Sequence, residues 1–127
     1  EIVENSNVHF QGDISFLVDS NVVIIQSQVI MEIIEVYGSM YCEDSTLTFN
    51  SDVVFNFASL LADNSAVVIF GNSPVLISDS FITVTNAGQI SILGHLQMLQ
   101  SSEISLDSSG FMFIDSTMTL DASTVIN

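Results

Sequence analysis

The chain has 127 residues, 48% of them apolar and only 12% charged, with no Lys or Arg against 15 Asp and Glu, for a formal charge of −15. That hydrophobicity excludes a disordered chain, and the length suits one domain, residues 1–127, with its own core. Without a cation the chain cannot neutralise phosphates, which excludes nucleic acid, and it lacks the basic face that anionic lipid surfaces attract.

From the N-terminus, short β-branched and aromatic runs recur, separated by Ser, Asn, Asp and Gly, the composition of strands punctuated by turns. The first runs centre on His9, Ser15, Val23 and Ile30. Val22 to Tyr37 is the densest apolar stretch, but Gln26, Ser27, Gln28, Glu32 and Glu35 interrupt it. No window of about 18 apolar residues is left for a membrane helix, and the runs are shorter than the roughly 9–11 residues of a barrel strand. Membrane insertion is not expected. Gln28 to Tyr37 fits two structures. Ile30, Ile33, Ile34 and Tyr37 fall at helical spacing with Glu32 and Glu35 opposite, whereas the many β-branched residues and the missing N-cap favour a strand.

The next centre after Tyr37 is Thr48, 11 residues on, so Gly38–Ser45 reads as an outward loop. Cys42, inside it, is the only cysteine. An internal disulfide is therefore impossible, and the thiol is either buried and inert or pairs between chains.

From Val67 onward the runs become regular: Val67-Val68-Ile69, Val75-Leu76-Ile77, Ile82-Thr83-Val84, Ile90-Ser91-Ile92, Leu96-Gln97-Met98, Ile104-Ser105-Leu106, Phe111-Met112-Phe113 and Met118-Thr119-Leu120. Val125-Ile126 begins another. Their middle residues are 6 to 8 apart, and every third run returns at 21 to 23, as in Leu76, Gln97 and Thr119, in Thr83, Ser105 and Ile126, or in Val68, Ser91 and Met112. Such spacing is too short for hairpins or for strand–helix alternation. Three short strands per coil and about 22 residues per coil predict a right-handed parallel β-helix whose rungs stack about 4.8 Å apart. A jelly roll or sandwich is the rival. Within a triplet the outer residues share one side and the middle residue takes the other. Pairs such as Val75 and Ile77, Ile90 and Ile92, or Phe111 and Phe113 are therefore expected inside, the two Phe packing on Ile90 and Ile92, with Thr83, Ser91, Gln97 and Ser105 outside.

These Ser/Asp-Ser-x-apolar-x-apolar units resemble the pectin-lyase-like β-helix superfamily, and more narrowly the non-catalytic repeat regions of large adhesins and surface proteins. The likeness covers nearly the whole chain but rests on periodicity and turn composition, and the Gly-Gly-Ala-Ile signature of some surface β-helices is absent. Enzymes of that superfamily act mostly on acidic polysaccharides with Arg or Lys, which this chain lacks; the resemblance thus implies no lyase activity.

Other chemistries find thin support. Paired carboxylates could hydrolyse glycosides, but Glu43, Asp44, Asp79, Asp107, Asp115 and Asp121 sit beside Ser or at strand ends, where Asp is ordinary turn chemistry. His9 and His95 have no nucleophile motif near them and read as surface residues. The calcium-binding Gly-Gly-x-Gly-x-Asp nonapeptide is missing. Asp79 and Asp121, with Gln100 between, look staggered rather than stacked, so calcium or similar cations are expected only as loosely bound partners. The Thr-x-Thr pairs at Thr46, Thr83 and Thr117 fall on three different faces, which argues against an ice-binding array, and no N-glycosylation sequon occurs. No catalytic residue, metal ligand or cofactor is assigned, and the chain is read as a non-enzyme.

Outward positions of the first half are more apolar: Val23, Ile30, Tyr37, Val54 and Val68. Together they form a candidate lateral interface. Neither end shows a cap: Glu1 to Ser6 is too short to cover a rung, and Thr124 to Asn127 begins a strand. The expectation is an extracellular or cell-surface structural or adhesive solenoid, a segment of a longer one or self-associating head to tail or laterally. The alternative is a carbohydrate-binding or carbohydrate-active β-helix using Tyr37, Tyr41 and surface carboxylates.

Overall fold

The computed structural model describes residues 2–16, 19–107, 110–121 and 125–126, and every regular element among them is a β-strand. In chain order these are β1 (Ile2–Glu4), β2 (Asn7–Phe16), β3 (Asn21–Ile25), β4 (Gln28–Val36), β5 (Ser39–Glu43) and β6 (Thr46–Phe49). Then come β7 (Val53–Asn56), β8 (Ser59–Asp63), β9 (Val67–Phe70), β10 (Val75–Ser78), β11 (Phe81–Val84) and β12 (Gln89–Ile92). The last are β13 (Leu96–Leu99), β14 (Glu103–Leu106), β15 (Phe111–Ile114), β16 (Met118–Leu120) and β17 (Val125–Ile126). Every strand pairs in parallel with strands a full turn away, so the chain winds as a β-solenoid of about five turns with roughly 21 residues per rung.

The first face is the seven-stranded sheet β1-β3-β5-β8-β11-β14-β17. A ten-stranded sheet supplies the other two. Its second-face half, β6-β9-β12-β15, and third-face half, β7-β10-β13-β16, meet in β4. Residues 28–31 of β4 pair with β6, and Glu35 and Val36 pair with β7. Along each face, inward residues alternate with outward ones and stack on their own kind. Val29, Leu47, Val68 and Ile90 form one fully buried column, and Met31, Phe49, Phe70 and Ile92 another. The rings of Phe49 and Phe70 lie parallel with centroids 4.9 Å apart, and Phe55 meets both edge-on at 5.9 Å. Each such side chain contributes about 1.5–3 kcal/mol on burial.

Two corners of the rung share one chemistry: a residue in the left-handed region, then a small residue turned inward. Gln26 and Asp44 precede Ser27 and Ser45, and Asp79 precedes Ser80; all three leading residues have φ between 46° and 49°. The serines are buried yet satisfied. The Oγ of Ser80 accepts the Ala58 N–H from the neighbouring rung (3.0 Å) and donates to the Ser78 carbonyl (2.7 Å). Ser45 does the same for the Ser27 N–H (2.9 Å) and the Glu43 carbonyl (2.6 Å). Where serine is replaced, Ala66 and Gly88 hold the position; a Cβ on Gly88 would come within 2.8 Å of the Ala62 carbonyl oxygen. The pairs Asp44-Ser45 and Asp79-Ser80 are this corner. The Asp, like Asn, tolerates the left-handed backbone, and the Ser returns one hydrogen bond to each of two rungs.

The three-strand solenoid matches the periodicity, and the three Thr-x-Thr pairs do fall on different faces, in β6, β11 and β16. Thr83, Ser91, Gln97 and Ser105 face outward between buried neighbours. Gln28–Val36 is the strand that its β-branched residues favoured rather than the rival helix, and because it turns from one face to the next without a loop its rung is short: Ser39 pairs with Asn21, only 18 residues earlier. The side chains of Ile33 and Ile34 lie outside the described residues, as do Glu1, Thr124 and Asn127. Two readings need correction. First, Gly38–Ser45 is no loop: Ser39–Glu43 is β5, fully paired on both sides. Second, Val68 pairs with Ile90, and Ile90 with Met112, while Ile126 pairs with Ile104. Val68 is buried, whereas Phe111 and Phe113 face outward, 56% and 47% exposed. Runs such as Val67–Phe70 and Phe111–Ile114 are apolar at every position, so alternation cannot say which set faces in. Stacking on Phe49 decides it for Phe70, and the register propagates.

Candidate functional site

The most differentiated part of the surface is the corner joining the third face to the first. Three residues, Asn56, Phe57 and Ala58, lie between the paired positions Phe55 and Ser59, and three more, Ser78, Asp79 and Ser80, between Ile77 and Phe81. One rung earlier, Val36 and Ser39 pair with Phe55 and Ser59 but have only Tyr37 and Gly38 between them. Tyr37 is not the non-glycine left-handed residue that the neighbouring rungs place at this corner. On the preceding rung it is Asp19 (φ 69°), and on the following two it is Phe57 (φ 51°) and Asp79 (φ 46°). The omission leaves a notch, floored by Gly38, Ser39 and Ala58. Asp19, Tyr37, Phe57, Asp79 and Phe81 stand around it.

Phe57 is the unusual member. It is 69% exposed, and its backbone adopts a conformation that an L-residue with a bulky side chain rarely takes. Elsewhere this chain fills such positions with Asn, Asp, Gln, Ser or, once, Ala87. An exposed aromatic ring on a strained backbone adds little to the fold, and residues of this kind concentrate where a surface has a task. Phe81 opens the first-face strand at 52% exposure, in register with Ser59 and Ser39.

The five residues of the expected lateral interface do not form a patch. Val23 lies on the first face beside Tyr41, Ile30 on the second between His9 and Thr48, and Val54 on the third beside Leu76. Tyr37 is at the notch, and Val68 is inside, with no exposed surface. A contact through all of them at once is not possible.

Carboxylates do stack at one place that the sequence reading missed. Glu43 and Asp63 are register partners on adjacent rungs of the first face. The Tyr41 hydroxyl donates to Glu43 Oε2 (2.9 Å), with Asp63 Oδ2 at 3.4 Å. Asp63 Oδ1 accepts from Thr85 Oγ1 (2.8 Å) and Asn86 Nδ2 (2.7 Å). The Thr85 and Asn86 bonds hold the Asp63 carboxyl below its usual range, and desolvation, then Glu43, pushes Tyr41 up to about 12. Donors from neighbouring rungs thus offset the repulsion. Asp121 is also engaged, accepting the Gln100 N–H at 2.7 Å. Among the described residues no three His, Cys, Asp or Glu gather around a point fit for a metal ion. His9 faces Glu32 (3.3 Å), and His95 lies between Thr117 and Thr119. Cys42 is buried in the core, which pushes its thiol up to about 12 and keeps it from a partner chain.

Asp19, Phe57 and Phe81 were not singled out in the sequence, and Asp79 was weighed only as a turn carboxylate. One signal was there, an aromatic at a turn position; the short corner at Tyr37-Gly38 shows only in the pairing. No helix among the described residues is long and apolar enough to cross a membrane. Comparison with family models, curated proteins and solved structures finds no match.

Proposed function

We propose that this chain is a section of a structural or adhesive solenoid, extracellular or at a cell surface, of the right-handed pectin-lyase-like type. One observation carries the reading: inward positions and corners repeat rung after rung, while outward positions change freely. The core column Met31, Phe49, Phe70, Ile92 is apolar throughout, whereas the neighbouring outward column runs Ile30, Thr48, Ile69, Ser91. A sequence organised to keep a straight ladder and to vary its outer surface serves as a scaffold that displays contacts. Self-association fits the same plan. β15, β16 and β17 each pair on one side only among the described residues, and Met118 and Leu120, in register with buried Leu96 and Met98, are 44% and 43% exposed. Such an edge accepts another rung, from the same chain or a second copy. An acidic surface of this kind also collects cations such as calcium loosely, without a dedicated site.

Electron microscopy of the native material, with light scattering of the 127-residue chain, tests this reading. Fibres, or rod-like particles that lengthen with concentration, support it. Discrete compact particles with glycosidase activity would overturn it in favour of a carbohydrate-active domain.

A further inference from the structure

The geometry points to the corner notch as a receptor for one basic side chain, Lys or Arg, presented by a partner protein. The argument begins with what is missing. Along this corner the left-handed residues other than glycine are Asp19, Phe57, Asp79 and Gln100, and the short rung of Tyr37 and Gly38 has none. The vacancy is one residue wide, the width of a side chain rather than of a strand or helix. A side chain entering from outside would take the place that a corner residue occupies on the other rungs. It would stand between a carboxylate on one side and an aromatic ring on the next rung, with Tyr37 and Phe81 flanking and a second carboxylate, Asp79, beyond.

Charge selects the occupant. A carboxylate paired with exposed rings attracts a cation through both the ion pair and the negative face of the ring. The chain itself holds no Lys or Arg among its 127 residues, so nothing internal can fill the notch or neutralise it. A second copy cannot supply the cation either, which removes self-association as the occupant here. The aliphatic stem of Lys or Arg lies well on the apolar edges of Phe57 and Phe81 while its head reaches Asp19 or Asp79. The same argument explains why Phe57, 69% exposed, occupies a position that other rungs fill with Asp or Gln. The inference does not depend on end-to-end assembly.

The test uses the whole chain, isotopically labelled, titrated with a capped peptide bearing a single Lys among neutral residues. Matched peptides carry norleucine or Glu in its place, and a neutral oligosaccharide is run in parallel. The Lys peptide should shift the amides of Gly38, Ser39 and Ser59, and the norleucine and Glu peptides should not. Phe57→Asn and Asp79→Asn should each weaken binding about five- to tenfold, whereas Asp44→Asn, at another corner, should change it less than twofold. Phe81→Ser provides a second ring deletion should Phe57→Asn fail to fold. If Asp44→Asn weakens binding as much as Asp79→Asn, the attraction is diffuse electrostatics and the notch is not a receptor. If the oligosaccharide saturates the notch amides and the Lys peptide does not, the occupant is a sugar and the inference fails.

Discussion

Replacing Phe57 by Asn should make the protein more stable, an unusual outcome for the removal of an aromatic ring. The ring is 69% exposed, so about a third of its surface is in contact with the protein. A fully buried Phe contributes about 1.5–3 kcal/mol, which puts the loss at roughly 0.5–0.9 kcal/mol. Against this, a left-handed backbone costs an ordinary L-residue about 1–2 kcal/mol, most of which Asn avoids by bonding to its own backbone. The balance is a gain of about 0.5 kcal/mol, near 2 °C in Tm for a domain of this size. Phe57→Ala separates the two terms, because it deletes the ring and keeps the strain. It should lie below wild type, with Asn about 1 kcal/mol above Ala. Thermal and urea denaturation of the three proteins would decide it. If Phe57→Asn falls more than about 1 kcal/mol below wild type, the ring holds the corner together and the strain argument is wrong.

Ile92→Asp should abolish folding by burying an unpaired charge in the fully enclosed column above Phe70, a cost beyond about 4 kcal/mol, while Ser91→Asp is tolerated; equal damage at both positions by circular dichroism would defeat the inward/outward assignment. Ser80→Ala should cost about 1–3 kcal/mol, since it strands the buried Ala58 N–H and opens a small void; an unchanged urea midpoint would mean water takes over the bond. From neutral pH down to about 4, Tm should stay flat or rise, because with no cation to pair the net repulsion falls as carboxylates protonate. Asp63, whose pKa is lowered, keeps its contribution above the unfolded carboxylate pKa and loses it only as pH falls through its own lower value. A steep loss of Tm between pH 7 and 4 would reveal favourable carboxylate contacts beyond these. At the alkaline end the sign reverses: Cys42 and Tyr41, both raised to about 12, hold protons that the unfolded chain releases near 9 and 10. Stability should therefore fall above pH 9, and Cys42→Ala should move that onset upward; an unmoved onset would show the thiol to be irrelevant.

Much of the architecture was legible wherever polar and apolar residues alternate. Ile90-Ser91-Ile92 and Leu96-Gln97-Met98 state their own orientation, because a Ser or Gln between two buried aliphatics can only face out. The Asp-Ser corners are legible for a related reason: few residues tolerate a left-handed backbone, and few are small enough to turn inward after it. Where that contrast is lost, so is the signal. Val67–Phe70 and Phe111–Ile114 are apolar at every position, and a slip of one residue there exchanges core for surface, as it did for Val68 and for the two Phe.

The sequence by itself determined the period, the strands and the corners, since these depend on neighbours within a few residues. Register, burial and the site depended on neighbours about 21 residues away. Glu43 and Asp63 become stacked only because β5 pairs with β8, and the Tyr41, Thr85 and Asn86 donors that make this tolerable come from two separate rungs. The notch is an absence, a corner of two residues where the next two rungs have three. A missing residue leaves no mark along the chain, and becomes a feature only when stacking places Tyr37 and Gly38 between Asp19 and Phe57.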